Sequence, residues 1–153
     1  MSVVILYGTE TGTAELVADA VSDVLAAEHD PSIYDMSEFA VEDLDPDTFY
    51  VVICSTYGDG EYPTGAEPFV DELIDVKPDL TGVRFSVFGL GDSIYSDTFN
   101  HGGERLAELL VSLGATQVGE HARHDSSSAV KPTTQATEWT ENLVGIIDPV
   151  RTS

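Results

Sequence analysis

Three stretches of the chain combine glycine with hydroxylated, acidic or aromatic residues at spacings suited to holding a ligand. The first, Gly8-Thr9-Glu10-Thr11-Gly12-Thr13, follows an apolar run and leads into a helical pattern. Such a loop offers a phosphate free backbone N–H groups, the positive end of a helix dipole and the hydroxyls of Thr9, Thr11 and Thr13. It has no lysine, so it departs from the nucleoside-triphosphate loop G-x-x-x-x-G-K-[ST], and it is not G-x-G-x-x-G either. A loop without a cation is poorly equipped for the charge that develops as a phosphoryl group transfers. It can still grip a static phosphate monoester, with the Glu10 backbone facing the anion and its carboxylate turned to solvent. The bland alternative is a threonine-capped helix start with no ligand.

The second stretch, Ser55-Thr56-Tyr57-Gly58-Asp59-Gly60-Glu61-Tyr62-Pro63, sets aromatic rings beside unhindered backbone. The third runs from Phe88 through Gly89, Leu90, Gly91, Asp92 and Tyr95 to Phe99 and Asn100. A tyrosine from each, Tyr57 and Tyr95, can sandwich a flat heterocycle while peptide groups reach its edge. Alone, each tyrosine more often packs against protein than against a cofactor.

These stretches gain weight from the elements around them. Short apolar runs at 2–7, 32–36, 49–55, 83–89 and 116–122 read as strands. Between them, 13–28, 66–76 and 101–113 show helical spacing, 37–48 is an acidic connection, and a polar loop over 125–133 leads to a last helix near 134–147. Five short strands alternating with helices predict an α/β fold with a parallel sheet and helices on both faces. Ligands of such sheets lie beyond the carboxyl ends of the strands, where strand order reverses. All three glycine-rich stretches fall at carboxyl ends, after the first, third and fourth runs, which points to one shared site.

The chain has 153 residues, 42% of them hydrophobic, consistent with one domain over 1–153 and one substantial core. Its 28 acidic residues against 6 basic ones leave a formal net charge of -22. That field repels nucleic acid and anionic membrane surfaces and steers basic proteins, and it also suits a salt-rich cytoplasm. The single cysteine, Cys54, excludes an intramolecular disulfide and sits in an apolar run as a small core residue. No basic-then-apolar leader opens the chain, and no apolar run approaches the ~18 residues of a membrane span, so a soluble cytoplasmic monomer is expected.

The segments YGTETGTAE, STYGDGEYPTGAEPF and VFGLGDSIYSDTFNHGGERLAELLVSLGA resemble the three FMN-binding segments of the flavodoxin family. They are most similar to MioC-type proteins and the FMN domain of diflavin reductases. The resemblance spans almost the whole chain and is of the short-chain type. It implies a flavodoxin-like three-layer sandwich, with a five-stranded parallel sheet of order 2-1-3-4-5 and FMN as cofactor. It further implies that Thr9, Glu10, Thr11, Gly12 and Thr13 hold the FMN phosphate. Tyr57 and Tyr95 would stack on the isoalloxazine, with Ser55, Thr56, Asp59 and Gly60 around the second loop. The Gly58–Asp59 peptide would turn its carbonyl to the flavin N5–H when the ring is reduced. Leu90, Gly91, Asp92, Phe99 and Asn100 would line the ring edge and ribityl side, and Asp125 matches a family acid after the fifth strand. Asp92 stands where the diflavin branch often has Asn.

Other constellations fall away. His121 and His124, with Asp125 after them, are two histidines without a clear third metal ligand, and read as an exposed strand end. No G-x-S-x-G elbow exists, and Ser93 lacks an evident base. A phosphoryl-receiver domain would need an acid at the end of the first strand, where VVILYG has none. Trp139 reads as a core residue. The expected function is an electron carrier between basic redox partners, a reductase donor and an acceptor enzyme. The rivals are an FMN-dependent NAD(P)H:quinone-type oxidoreductase and a non-redox interaction module on the same fold.

Overall fold

The computed structural model describes residues 2–8, 13–26, 31–39, 41–44, 48–55, 67–91, 101–118, 122–125 and 131–152. Strands β1 (Ser2–Gly8), β2 (Pro31–Asp35), β3 (Thr48–Ser55), β4 (Arg84–Gly91), β5 (Thr116–Gln117) and β6 (Ala122–Asp125) alternate with helices α1 (Thr13–Leu25), α2 (Glu67–Val76), α3 (His101–Ser112) and α4 (Pro132–Thr152). Every pairing is parallel, and the order is β2-β1-β3-β4-β5, with β6 also beside β4. The expected sheet and its order are thus present, and the acidic connection after β2 contains two 3-10 turns, Met36–Glu38 and Val41–Asp43.

Strand alternation explains the three layers. On β3, Phe49, Val51 and Ile53 point to one face, where they join Val3 and Ile5 of β1 and Phe88 of β4 under α1 and α4. The intervening Tyr50 and Val52 point to the other face, with Leu6, Phe85 and Val87, against Phe69 and Leu73 of α2 and Leu106 and Leu110 of α3. With both faces covered, a near-continuous apolar strand is the stable solution, which is why β3 reads so strongly in sequence. Burial of each core phenylalanine contributes roughly 1.5–3 kcal/mol. The β2 strand reads weakly because it is an edge. Its residues alternate between half-buried and exposed, and Pro31 begins it where no ladder N–H is needed.

Two expectations are revised. Among the described residues, the run 116–122, read as one strand, contributes two pieces at the fifth position: Gln117 pairs with Phe85, and Ala122 pairs with Phe88. The edge chain uses more residues than β4 over that stretch, and at the interruption the buried Ser86 hydroxyl donates to the Val118 carbonyl. Trp139 lies half-buried at the margin of the α1–α4 layer, edge-on to Phe88 at 5.4 Å between ring centroids. Cys54 occupies β3 as expected, and its side chain is outside the described residues. Among the described residues no helix is long and apolar enough to cross a membrane.

At the end opposite the glycine-rich loops, the turn after α3 locks onto the turn before β4. Leu80 N–H donates to the Leu113 carbonyl at 2.9 Å, and Thr116 N–H donates to the Val83 carbonyl at 2.8 Å. Gly114 sits between them at φ 113°, and a Cβ there would lie 2.9 Å from the Thr81 nitrogen. Backbone strain and backbone crowding therefore act together against any side chain. Gly114→Ala is expected to lower unfolding free energy by about 1–3 kcal/mol. Denaturant titration checks this, and an unchanged midpoint would contradict it.

Candidate functional site

The central strands fix where any shared site must lie. Because β1, β3 and β4 run parallel and in register, with Gly8 opposite Cys54 and Ser55 opposite Leu90, their carboxyl ends form one edge. Gly91, the last residue of β4, is opposite Asp125, the last residue of β6. Helix α1 begins at Thr13 on the chain leaving Gly8, so its free N–H groups face this edge of the sheet. A helix start at the carboxyl edge of a parallel sheet is an anion site in its own right, through N–H donors and the helix dipole.

Of the residues singled out from sequence, the backbone brings Thr13, Ser55, Leu90, Gly91 and Asp125 to this edge. Asp125 proves to be a strand residue rather than one just after the strand. Thr9, Glu10, Thr11, Gly12, Thr56, Tyr57, Gly58, Asp59, Gly60, Asp92, Tyr95, Phe99 and Asn100 lie outside the described residues. So does His121, while the side chains of His124 and Asp125 are likewise not described. Among the described residues no group of three His, Cys, Asp or Glu could hold a metal ion.

One feature of this edge was not read from sequence. Tyr7, the residue before Gly8, is half-buried, and its phenol is held above the ordinary 10.0. Loss of solvent is the main cause, and the fields of Glu15, Asp35, Glu38 and Asp19 add to it. These carboxylates come from α1, from β2 and from the turn after it, and Asp35 is the register partner of Tyr7. Only the strand pairing collects them, since Tyr7 and Asp35 are far apart in the chain. The start of α1 is therefore flanked by negative charge, and any hold on an anion there would come from donors and dipole rather than net attraction.

Comparison with known proteins agrees with this geometry. The family model described as flavodoxin matches residues 5–139. A MioC homologue of Haemophilus influenzae is 30% identical over 151 residues, covering 94% of this chain and 97% of that one. Inducible nitric oxide synthase of Gallus gallus is 31% identical over 120 residues, 77% of this chain but 11% of that protein. Among solved structures, a cysteine-to-alanine mutant of flavodoxin from Pseudomonas aeruginosa aligns with a TM-score of 0.84 and 36% identity. That alignment covers 95% of this chain and 97% of the other.

The environment of Tyr7 yields a pH prediction. The folded phenol ionises later than the unfolded one, so its stabilising contribution is complete below about pH 10 and declines as pH climbs through the raised folded value. Ultraviolet titration of the protein against Tyr7→Phe should isolate one late-titrating tyrosine. Added salt should reduce the elevation by screening the four carboxylates and leave the part due to lost solvent. A Tyr7 titration at the ordinary value would contradict this.

Proposed function

The chain belongs to the flavodoxin family, and from that premise we propose that it is an electron carrier, taking low-potential electrons from a reductase and delivering them to an acceptor protein. FMN is the cofactor that this membership implies; when bound, it supplies one-electron transfer through its flavin ring. The observation that carries the reading is the in-register meeting of the carboxyl ends of β1, β3 and β4 beside the start of α1. This edge fits a ligand with a phosphate at one end and a planar ring at the other. The N–H groups at the start of α1 suit the phosphate, and glycine at the ends of β1 and β4 lets backbone approach closely.

On this reading Thr9, Glu10, Thr11, Gly12 and Thr13 hold the phosphate, through N–H groups and the threonine hydroxyls. Tyr57 and Tyr95 clasp the ring, each excluding water from one face. Thr56, Gly58, Gly60, Leu90, Gly91, Phe99 and Asn100 complete the cleft, with Ser55 and Asp125 at its strand ends. Asp59, Glu61, Asp92 and Asp97 disfavour negative charge on the ring and so lower the potential of the second one-electron reduction. Residues 1–153 act as a single FMN-binding unit, monomeric and cytoplasmic. Its partners are basic proteins, since a chain of net charge -22 attracts them and repels copies of itself.

Four outcomes test the proposal. The purified protein should show a flavin absorption spectrum, or quench the fluorescence of added FMN; a colourless protein without quenching would rule out the carrier reading. Tyr57→Ala and Tyr95→Ala should each weaken FMN binding on the order of tenfold. The second reduction potential should be low and should rise with salt as the acids are screened, and a potentiometric titration indifferent to salt would count against their role. Electron delivery should depend on an added reductase, whereas steady NAD(P)H oxidation by the protein alone would favour a quinone-reductase activity.

A further inference from the structure

Side chains do not completely fill the core between the sheet and helices α2 and α3. Leu6, Val52 and Phe85 of the central strands face Phe69 of α2 and Leu110 of α3 across a small gap, with Leu44 completing the wall. The centre of a water-sized sphere can range over about 10 Å³ inside it, so one body of that size or slightly more fits. The gap offers such a body nothing to bond with. Its lining residues are aliphatic and aromatic, and the one hydroxyl among them, that of Tyr50, donates to the Asp43 carbonyl at 3.3 Å. A buried water needs several polar partners, so the gap is dry. Burial sets the way in. Every lining residue except Leu44 is at most 4% exposed. Leu44 is half-buried and directly follows the 3-10 turn Val41–Asp43. Three hydrogen bonds on that turn lie at or beyond the long end of the ordinary range. Val41 N–H donates to the Glu72 carboxylate of α2 at 3.3 Å, Tyr50 O–H to the Asp43 carbonyl at 3.3 Å, and Leu44 N–H to the Val41 carbonyl at 3.2 Å. Long ties above an unfilled space make this turn the part of the layer that opens at least cost.

We infer that this gap is a binding site for a small nonpolar molecule of dioxygen size, entered past Leu44 as the turn lifts. Elimination decides the chemical class. Ions and hydrogen-bonding ligands would lose their water and gain no partner. A molecule of more than about two heavy atoms exceeds the space. A nonpolar diatomic or a noble-gas atom gives up little hydration and gains dispersion contacts on all sides. The site stands apart from the cofactor edge. Leu6 and Val52 precede the strand ends Gly8 and Ser55 by two and three residues, which is roughly 7–10 Å along the strands. The inference therefore stands independently of the carrier reading.

Xenon and dioxygen are the probes, applied under pressure to the full chain with isotope-labelled methyl groups. Xenon should shift the methyls of Leu6, Val52, Val83 and Leu110 along a saturating curve. The methyls of Val21 and Leu25, in the core under α1, should show only the straight slope of nonspecific contact. Dioxygen is paramagnetic and should broaden the same four residues first. Xenon added to the oxygenated sample should relieve that broadening, because the gap holds one body at a time; this arm needs no variant. Val83→Ile and Val52→Ile each place one more carbon in the gap, and the saturating response should be lost in each variant that folds. Leu44→Ala should keep the response and speed xenon exchange several-fold. An equal, linear response in both cores would overturn the site, as would a saturating response that survives the isoleucine variants. Magnetisation transfer from water to these methyls would show a hydrated gap and overturn it as well. Unchanged exchange in Leu44→Ala would overturn the entrance past that residue.

Discussion

The in-register pairing of β1, β3 and β4 is the constraint on which the rest depends. Each strand alternates its side chains between two helical layers, so Phe49, Val51 and Ile53 serve one core and Tyr50 and Val52 the other. A slip of one residue would turn both sets outward, and two buried faces therefore fix the register without any polar device. Once the register is set, Gly8, Ser55 and Gly91 have to end along one edge. The alignment is thus a by-product of core packing: three strand ends distant in sequence are delivered to one edge by the apolar residues beneath them.

Electrostatics at that edge works against net charge. In a chain of net charge -22, with Glu15, Asp19, Asp35 and Glu38 acting on Tyr7 beside the first loop, an anion gains nothing from the distant field. What remains favourable is local: N–H donors, the helix dipole and hydroxyls, all effective at short range. On the proposed reading, this division accounts for a phosphate loop without lysine: close donors would hold a static anion, and the surrounding carboxylates would be left to act on the ring and on partner proteins. Acidity and anion binding are compatible because they operate over different distances.

Much of this was legible in the residues, for physical reasons that differ by element. The central strands announced themselves as unbroken apolar runs, and α1 through the spacing of Val17, Ala18, Val21 and Leu25, all of which are buried. Edges were harder. The fifth position looked continuous, yet among the described residues it is two strand pieces, Thr116–Gln117 and Ala122–Asp125, and an edge strand that pairs on one side only tolerates such departures at little cost. Trp139 looked like core and is half-buried, since its packing depends on Phe88 of a different element. The acid group around Tyr7 was illegible for the same reason: Asp35 reaches it through β1–β2 pairing, which no spacing along the chain reveals. Within the site, glycines and strand ends were readable as types, and Thr13, Ser55, Leu90, Gly91 and Asp125 lie at or next to the ends of their elements.

The central claim is that FMN sits at the carboxyl edge of the sheet with its phosphate at the start of α1. Comparing amide resonances of the isotope-labelled protein without and with FMN tests it most directly. Large changes are expected, confined to residues 8–15, 55–60, 89–100 and the neighbourhood of Asp125, with the amides of the first loop moved strongly downfield by the phosphate. Changes centred instead on the amino-terminal edge, around Thr48, Arg84 and Thr116, would contradict it.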